Sequence, residues 1–206
     1  MTEPRREPLL TIPNALSALR LVLAPVLLWL AWTGRPTAFL VVLSVSLLSD
    51  LTDGWFARRF HQATHLGTLL DSYGDLATYT TVPICAWWLW PDLIRRESVY
   101  VAAVVAAYVF PIALGYLKYG RLTAYHTYGA KLSAVVVGTS ALVLFAGGPA
   151  LPFRVAACVL VLAELEEIAI TTILPEWRAN VPSLLHARRL LRDGTAGSGE
   201  ERARRV

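Results

Sequence analysis

Charge is scarce in this sequence, and so is cysteine. Asp, Glu, Lys and Arg make up 17% of the 206 residues, against 55% hydrophobic residues and a mean hydropathy of +0.50. That balance lies beyond ordinary globular averages and excludes the single soluble domain that length alone would allow. The two cysteines, Cys85 and Cys158, lie inside apolar blocks without metal-ligand spacing. No thiolate metal site is expected, and both are read as buried helix residues that say little about redox compartment. No internal repeat is visible, no cleavable signal peptide is evident, and no nucleic-acid partner is expected. The start, MTEPRREPLL, is polar and basic, and the first apolar block is long enough to stay in a membrane.

What is abundant comes in blocks. Six apolar stretches, roughly 14–33, 38–57, 68–90, 98–118, 129–148 and 153–174, have the length that spans a bilayer as a helix. The expected fold is therefore an all-α integral membrane protein with six transmembrane helices. Residues 1–12 read as a juxtamembrane segment, 13–175 as the transmembrane domain and 176–206 as a basic, partly disordered tail. Pro36, Pro91 and Pro152 fall in short connections, whereas Pro25, Pro83 and Pro111 lie within spans and predict kinks. Residues 182–193 predict a basic amphipathic helix, either on an anionic membrane surface or solvated.

Orientation follows the basic residues. One side would hold Arg5, Arg6, Arg58, Arg59, Lys118, Arg121, Lys131 and seven arginines from Arg178 to Arg205. The other holds Arg35, Arg95, Arg96 and Arg154. Both termini are thus expected in the cytoplasm, in the cell membrane. Trp87, Trp88 and Trp90 would form an aromatic belt at the outer end of the third span. Arg20 lies within the first block and belongs to neither side.

Against this background the segment D50-L-T-D53-G54-W-F-A57-R58-R-F-H-Q-A-T-H-L-G67-T-L-L-D71-S-Y-G-D75 stands out. Charge at the edge of a membrane block is costly, and its default reading is functional. Asp50 and Asp53 are three apart, Asp71 and Asp75 four apart, so each pair shares one face of a helix. A short loop would join the two helices as an antiparallel hairpin and bring both faces together. Four converging carboxylates repel unless cations bridge them, and hard oxygen ligands favour Mg²⁺, Mn²⁺ or Ca²⁺ over zinc. Gly54, Ala57 and Gly67 would let a phosphorylated group approach the backbone, and Arg58 suits a phosphate oxygen. Singly, each has a plainer reading as cap, packing residue or topology anchor, but those readings do not explain four acids in register.

The eight positions match D-x2-D-G-x2-A-R-x8-G-x3-D-x3-D, and the chain thereby resembles the CDP-alcohol phosphatidyltransferase family. The stretch T11-I-P-N14-A-L-S-A-L-R20-L-V-L-A-P25 is similar to that family's opening helix. The resemblance implies a six-helix bundle, a homodimer, and two Mg²⁺ or Mn²⁺ ions beside a cavity open to the cytoplasm. It implies a transferase of phospholipid biosynthesis that moves a phosphatidyl group from a CDP-linked lipid, usually CDP-diacylglycerol, to an acceptor hydroxyl, releasing CMP. By the same resemblance Asp50, Asp53, Asp71 and Asp75 hold the metals and Asp75 is the general base. Gly54, Ala57, Arg58 and Gly67 would shape the CMP and pyrophosphate pocket.

For the acceptor, Lys118, Arg121, His126 and Lys131 form a cationic group suited to a phosphorylated alcohol. Glycerol 3-phosphate is the acceptor expected first, with inositol phosphate, phosphatidylglycerol or another alcohol as alternatives. Phosphatidylglycerophosphate synthases often carry lysine after the fourth aspartate, where Leu76 stands here. Glu164, Glu166 and Glu167 lie near the expected bilayer centre, with Glu164 and Glu167 on one face. They could pair with Lys131 or Arg20 or line the acceptor pocket, and an interhelical polar contact is favoured over a direct substrate role. A cation transporter or a non-catalytic membrane protein is the competing class.

Overall fold

In a computed structural model the described residues are 11–59, 65–120, 127–174, 181 and 183–189, without the side chains of 53–58, 65, 66, 68 and 128. All of their regular structure is helical. The helices are α1 (Ile12–Trp32), α2 (Pro36–Arg59), α3 (His65–Leu89), α4 (Pro91–Arg96), α5 (Ser98–Tyr119), α6 (Tyr128–Phe145) and α7 (Leu151–Ile173), followed by a short α8 over residues 184–189. The six long helices fall where the six apolar blocks were read, and α4 is an addition. Two of them, α1 and α5, are long and apolar enough to cross a membrane by length and composition, while α2 and α6 hold shorter apolar stretches, Pro36–Thr52 and Gly129–Phe145.

Local chemistry sets the helix ends. Thr11 caps α1 by accepting the Asn14 N–H on its hydroxyl oxygen at 3.3 Å, with Pro13 in the first turn. The same helix stops at Gly34, whose φ of +65° few other residues adopt. There Gly34 N–H donates to Ala31 C=O and Arg35 N–H to Leu30 C=O, the paired closure of a Schellman turn, and Pro36 opens α2 at once. Gly147 (φ +88°) ends α6 in the same way, with Gly148 N–H reaching Val143 C=O. Pro25, Pro83 and Pro111 sit inside α1, α3 and α5, which remain continuous through them.

The chain divides into two compact units. The first comprises residues 1–98 and 141–149, hence α1 to α4 and the end of α6. Its centre is α1 against α2 and α3, built from Leu27, Leu30, Phe39, Leu43 and Cys85 together with buried Ser17, Ser46, Ser49, Thr78 and Thr81. Small and hydroxyl residues at such an interface let helix backbones approach where lipid offers no competing water. Trp90 does not join a belt: it stacks on Phe145 at 4.9 Å and meets Phe39 edge-on. Trp87 and Trp88 are exposed as expected, and Trp32 packs edge-on against Trp88.

The second unit comprises residues 99–140 and 150–206, with α5, most of α6, α7 and α8. Exposed apolar side chains such as Val99, Phe110 and Leu117 run along α5. Such a surface suits lipid rather than water. Cys158 is exposed on α7, unlike the buried Cys85, because it lies on the outward side of that helix. Ile170, Leu174, Val181 and Ala187 pack together with Tyr119, Ile173 and Leu184, so α8 is anchored on the end of α7. Leu185, His186, Arg188 and Arg189 face outward. The remainder of the predicted 182–193 helix and the tail beyond it lie outside the described residues.

Of the four arginines assigned to the outer side, three lie over aromatic rings: Arg35 over Trp29, Arg95 over Trp87 and Arg154 over Tyr100, at 5.3–5.6 Å. The fourth, Arg96, contacts Glu97 at 3.3 Å. Cations placed over ring faces suit a chain edge where aromatic and polar groups meet.

Candidate functional site

Three of the four predicted metal ligands converge in the first unit. Asp50 comes from α2, and Asp71 and Asp75 come from successive turns of α3. One oxygen from each carboxylate lies within 4.8 Å of the others. Gly67 precedes Asp71 by four residues and is half-buried on the same α3 face, at the position expected of it. The side chains of Asp53, Gly54, Ala57 and Arg58 are outside the described residues.

The group that gathers these acids is Arg20 of α1. Its Nη1 donates to Asp50 Oδ1 and Asp75 Oδ1, each at 2.6 Å, and its Nη2 donates to Asp71 Oδ1 at 2.5 Å. Arg20 is 2% exposed, whereas the three aspartate side chains are 31–38% exposed. The guanidinium is thus buried beneath carboxylates that remain open on another side. Among the described side chains three carboxylates face one guanidinium, and such hard oxygen donors with an open side fit a divalent cation. Charge-assisted bonds of this length are the strong class, about 1.5–3 kcal/mol each.

Gly74 supplies the seat for Arg20. A Cβ at that position would lie 3.3 Å from Arg20 Cζ and 3.4 Å from Nε, a tight contact that would shift the guanidinium by a few tenths of an ångström. Neither Arg20 nor Gly74 was assigned a site role from the sequence. The available signal was an arginine inside an apolar block, a position whose cost calls for a partner. On α1 the buried Asn14 and Ser17 precede it on the same face.

Of the residues proposed for an acceptor, Lys118 and Lys131 are described. Lys118 is committed elsewhere: its Nζ donates to the carbonyls of Thr171, Thr172 and Leu174 at 2.6–3.0 Å. An ammonium has three N–H groups, and all three here serve the C-terminus of α7, where a cation also complements the helix dipole. The Tyr119 hydroxyl adds bonds to Thr171 and Leu174 C=O. Lys131 is exposed on α6, and Arg121 and His126 lie outside the described residues.

The α7 acids have backbone partners. Glu167 Oε1 accepts from both the Thr127 N–H and its hydroxyl at 3.2 Å, while the Thr127 hydroxyl oxygen accepts from Ala130 N–H. This is a capping box at the start of α6 in which Glu167 replaces the acid that Ala130 cannot provide. Glu166 Oε1 accepts from Leu184 N–H at 2.9 Å and caps α8. Gly129 of α6 lies beside Ala163 and Glu166 of α7, with space for a Cβ at ordinary contact distance. Both acids therefore make the interhelical polar contacts favoured from the sequence.

Comparison with known proteins agrees with the motif. The family model described as CDP-alcohol phosphatidyltransferase matches residues 10–174. A cardiolipin synthase (CMP-forming) of Streptomyces coelicolor is 37% identical over 116 residues, covering 50% of this chain and 54% of the relative. A CDP-diacylglycerol–glycerol-3-phosphate 3-phosphatidyltransferase of Aquifex aeolicus is 36% identical over 66 residues, covering 32% and 37%. A CDP-diacylglycerol–inositol 3-phosphatidyltransferase of Candida albicans is 32% identical over 83 residues, covering 40% and 36%. The chain thus spans about half the length, or less, of these curated relatives. No solved structure matches it. With four-fifths of its length matched by one family model and three of the four motif aspartates gathered at one point, the chain belongs to the CDP-alcohol phosphatidyltransferase family.

Proposed function

We propose that this chain transfers a phosphatidyl group from CDP-diacylglycerol to the hydroxyl of an acceptor alcohol and releases CMP. The observation that carries this reading is the convergence of Asp50, Asp71 and Asp75 from two helices onto one half-exposed point. With Asp53 these residues would hold two Mg²⁺ or Mn²⁺ ions. Such ions, when bound, polarise the diphosphate and stabilise the departing CMP.

The chain's own residues would do the rest. Asp75 takes the proton of the acceptor hydroxyl as its oxygen bonds to the lipid-bearing phosphorus, and the bond from that phosphorus to the CMP oxygen breaks. CMP leaves with that electron pair. Gly54, Ala57, Arg58 and Gly67 would receive the nucleotide and its diphosphate.

We place phosphatidylglycerol first as acceptor, ahead of the glycerol 3-phosphate expected from the sequence. Of the three relatives named above, the one with the highest identity is a cardiolipin synthase. Leu76 follows Asp75, and the Lys118 ammonium serves α7. Glycerol 3-phosphate stays as the second reading because the Aquifex relative is named for it. The six long helices would all span the cell membrane, with both termini and the aspartates on the cytoplasmic side, in a homodimer.

The test is CMP release from labelled CDP-diacylglycerol by the purified chain with Mn²⁺. Phosphatidylglycerol, glycerol 3-phosphate and inositol phosphate are supplied one at a time. Release should require an acceptor and be fastest with phosphatidylglycerol. A folded sample that releases no CMP with any of them would overturn the reading.

A further inference from the structure

We propose that Arg20 is the resident counter-cation of the aspartate cluster, a positioning residue that holds Asp50, Asp71 and Asp75 together whether or not a divalent ion is present. The proposal rests on the metal reading above only for its second arm. Arginines near helix ends usually carry their charge out to water, but Arg20 lies 2% exposed, well inside an apolar helix. A guanidinium so placed needs close anionic partners, and it has three, contributed by two other helices.

Two further features make this a built arrangement. Nη1 is shared between Asp50 of α2 and Asp75 of α3, so one nitrogen ties those helices to α1. Gly74, immediately before Asp75, lies directly against the guanidinium, where a Cβ would be 3.3 Å from Arg20 Cζ and a larger side chain would displace it. The planar fork of arginine can reach three carboxylates from two nitrogens, which a single ammonium does less well. Without Arg20, three carboxylate oxygens within 4.8 Å of one another would repel, and α2 and α3 would separate around them. Groups behind the ligands that set their orientation commonly tune metal binding as well.

The experiment is thermal unfolding of the full chain in detergent, in EDTA and in Mn²⁺, for wild type, Arg20→Gln, Asp71→Asn and the double variant. In EDTA, Arg20→Gln should unfold at a clearly lower temperature. Adding Asp71→Asn should recover part of that loss, since one fewer carboxylate is left unbalanced. Mn²⁺ should raise the unfolding temperature of Arg20→Gln at least twice as far as that of wild type.

If Arg20→Gln does not fold, Arg20→Lys and Gly74→Val replace it. The lysine variant should keep most of its stability in EDTA, and the valine variant should show the enlarged Mn²⁺ shift. Additive losses for Arg20→Gln and Asp71→Asn in EDTA, or for the replacements a valine variant that behaves as wild type, would overturn the proposal. If neither wild type nor any variant responds to Mn²⁺, the metal reading fails, and the comparison in EDTA alone decides the role of Arg20.

Discussion

Acids appear in apolar helices in both units of this protein, and they are used differently. In the second unit, Glu166 and Glu167 of α7 accept hydrogen bonds from backbone N–H groups at the starts of α8 and α6. In the first, Asp50, Asp71 and Asp75 meet one another around a single buried arginine, with part of each carboxylate still open. A carboxylate that closes a helix end has found its partner within the fold. Among the described side chains, three carboxylates face one cation and keep an open side, where an exogenous divalent ion or a diphosphate complex can meet them. That contrast is the ground for proposing chemistry at one set and a structural part for the other.

The largest expected effect comes from exchanging the two sets by mutation. Asp75→Asn should lower CMP release by about 10²-fold or more, the scale of a lost general base, while Glu167→Gln changes it little per folded molecule. Acceptor-dependent CMP release, normalised to folded protein, reads both. Comparable losses in the two variants would erase the distinction.

Next in size is the ion-free stability of the first unit. Removing Arg20 strands carboxylates that it had compensated, and about 3–5 kcal/mol is the usual scale for breaking a buried pair. Denaturation in EDTA should show a loss of that order for Arg20→Gln, reduced somewhat because the aspartates are partly exposed.

Smaller losses should mark the α7 contacts. Glu167→Ala removes the acceptor for the Thr127 N–H and should cost about 1–2 kcal/mol, with unfolding as the readout. Lys118→Met should cost on the order of 1 kcal/mol and leave the KM for the acceptor unchanged. A raised KM without loss of stability would return Lys118 to an acceptor site.

Much of this was legible in the sequence, for definite reasons. The long helices followed from apolar blocks bounded by proline and glycine, because Gly34 and Gly147 supply the turns that end α1 and α6. The shared face of Asp71 and Asp75 followed from i, i+4 spacing, which is local geometry, and the predicted hairpin brought Asp50 to them. What escaped depended on placement across the chain. Arg20 and Asp75 are 55 residues apart, and nothing local to either says that α1 lies against α3. The role of Gly74 is likewise visible only once Arg20 lies over it. Capping by Glu167 requires knowing where α6 begins, forty residues earlier. Lys118 read as a loop cation because the end of α7 that it serves is fifty-three residues away. Trp90 read together with Trp87 and Trp88, which are exposed, although its own ring stacks on Phe145.

The aspartate cluster is the proposed place of divalent-ion binding, with the α7 acids as bystanders. Equilibrium Mn²⁺ binding, followed by electron paramagnetic resonance on the purified chain, measures this directly for wild type, Asp71→Asn and Glu167→Gln. Wild type and Glu167→Gln should bind Mn²⁺ alike, with affinity reduced about tenfold or more in Asp71→Asn, the scale seen when a metal site loses a supporting group. Equal binding by wild type and Asp71→Asn, or a loss confined to Glu167→Gln, would contradict it.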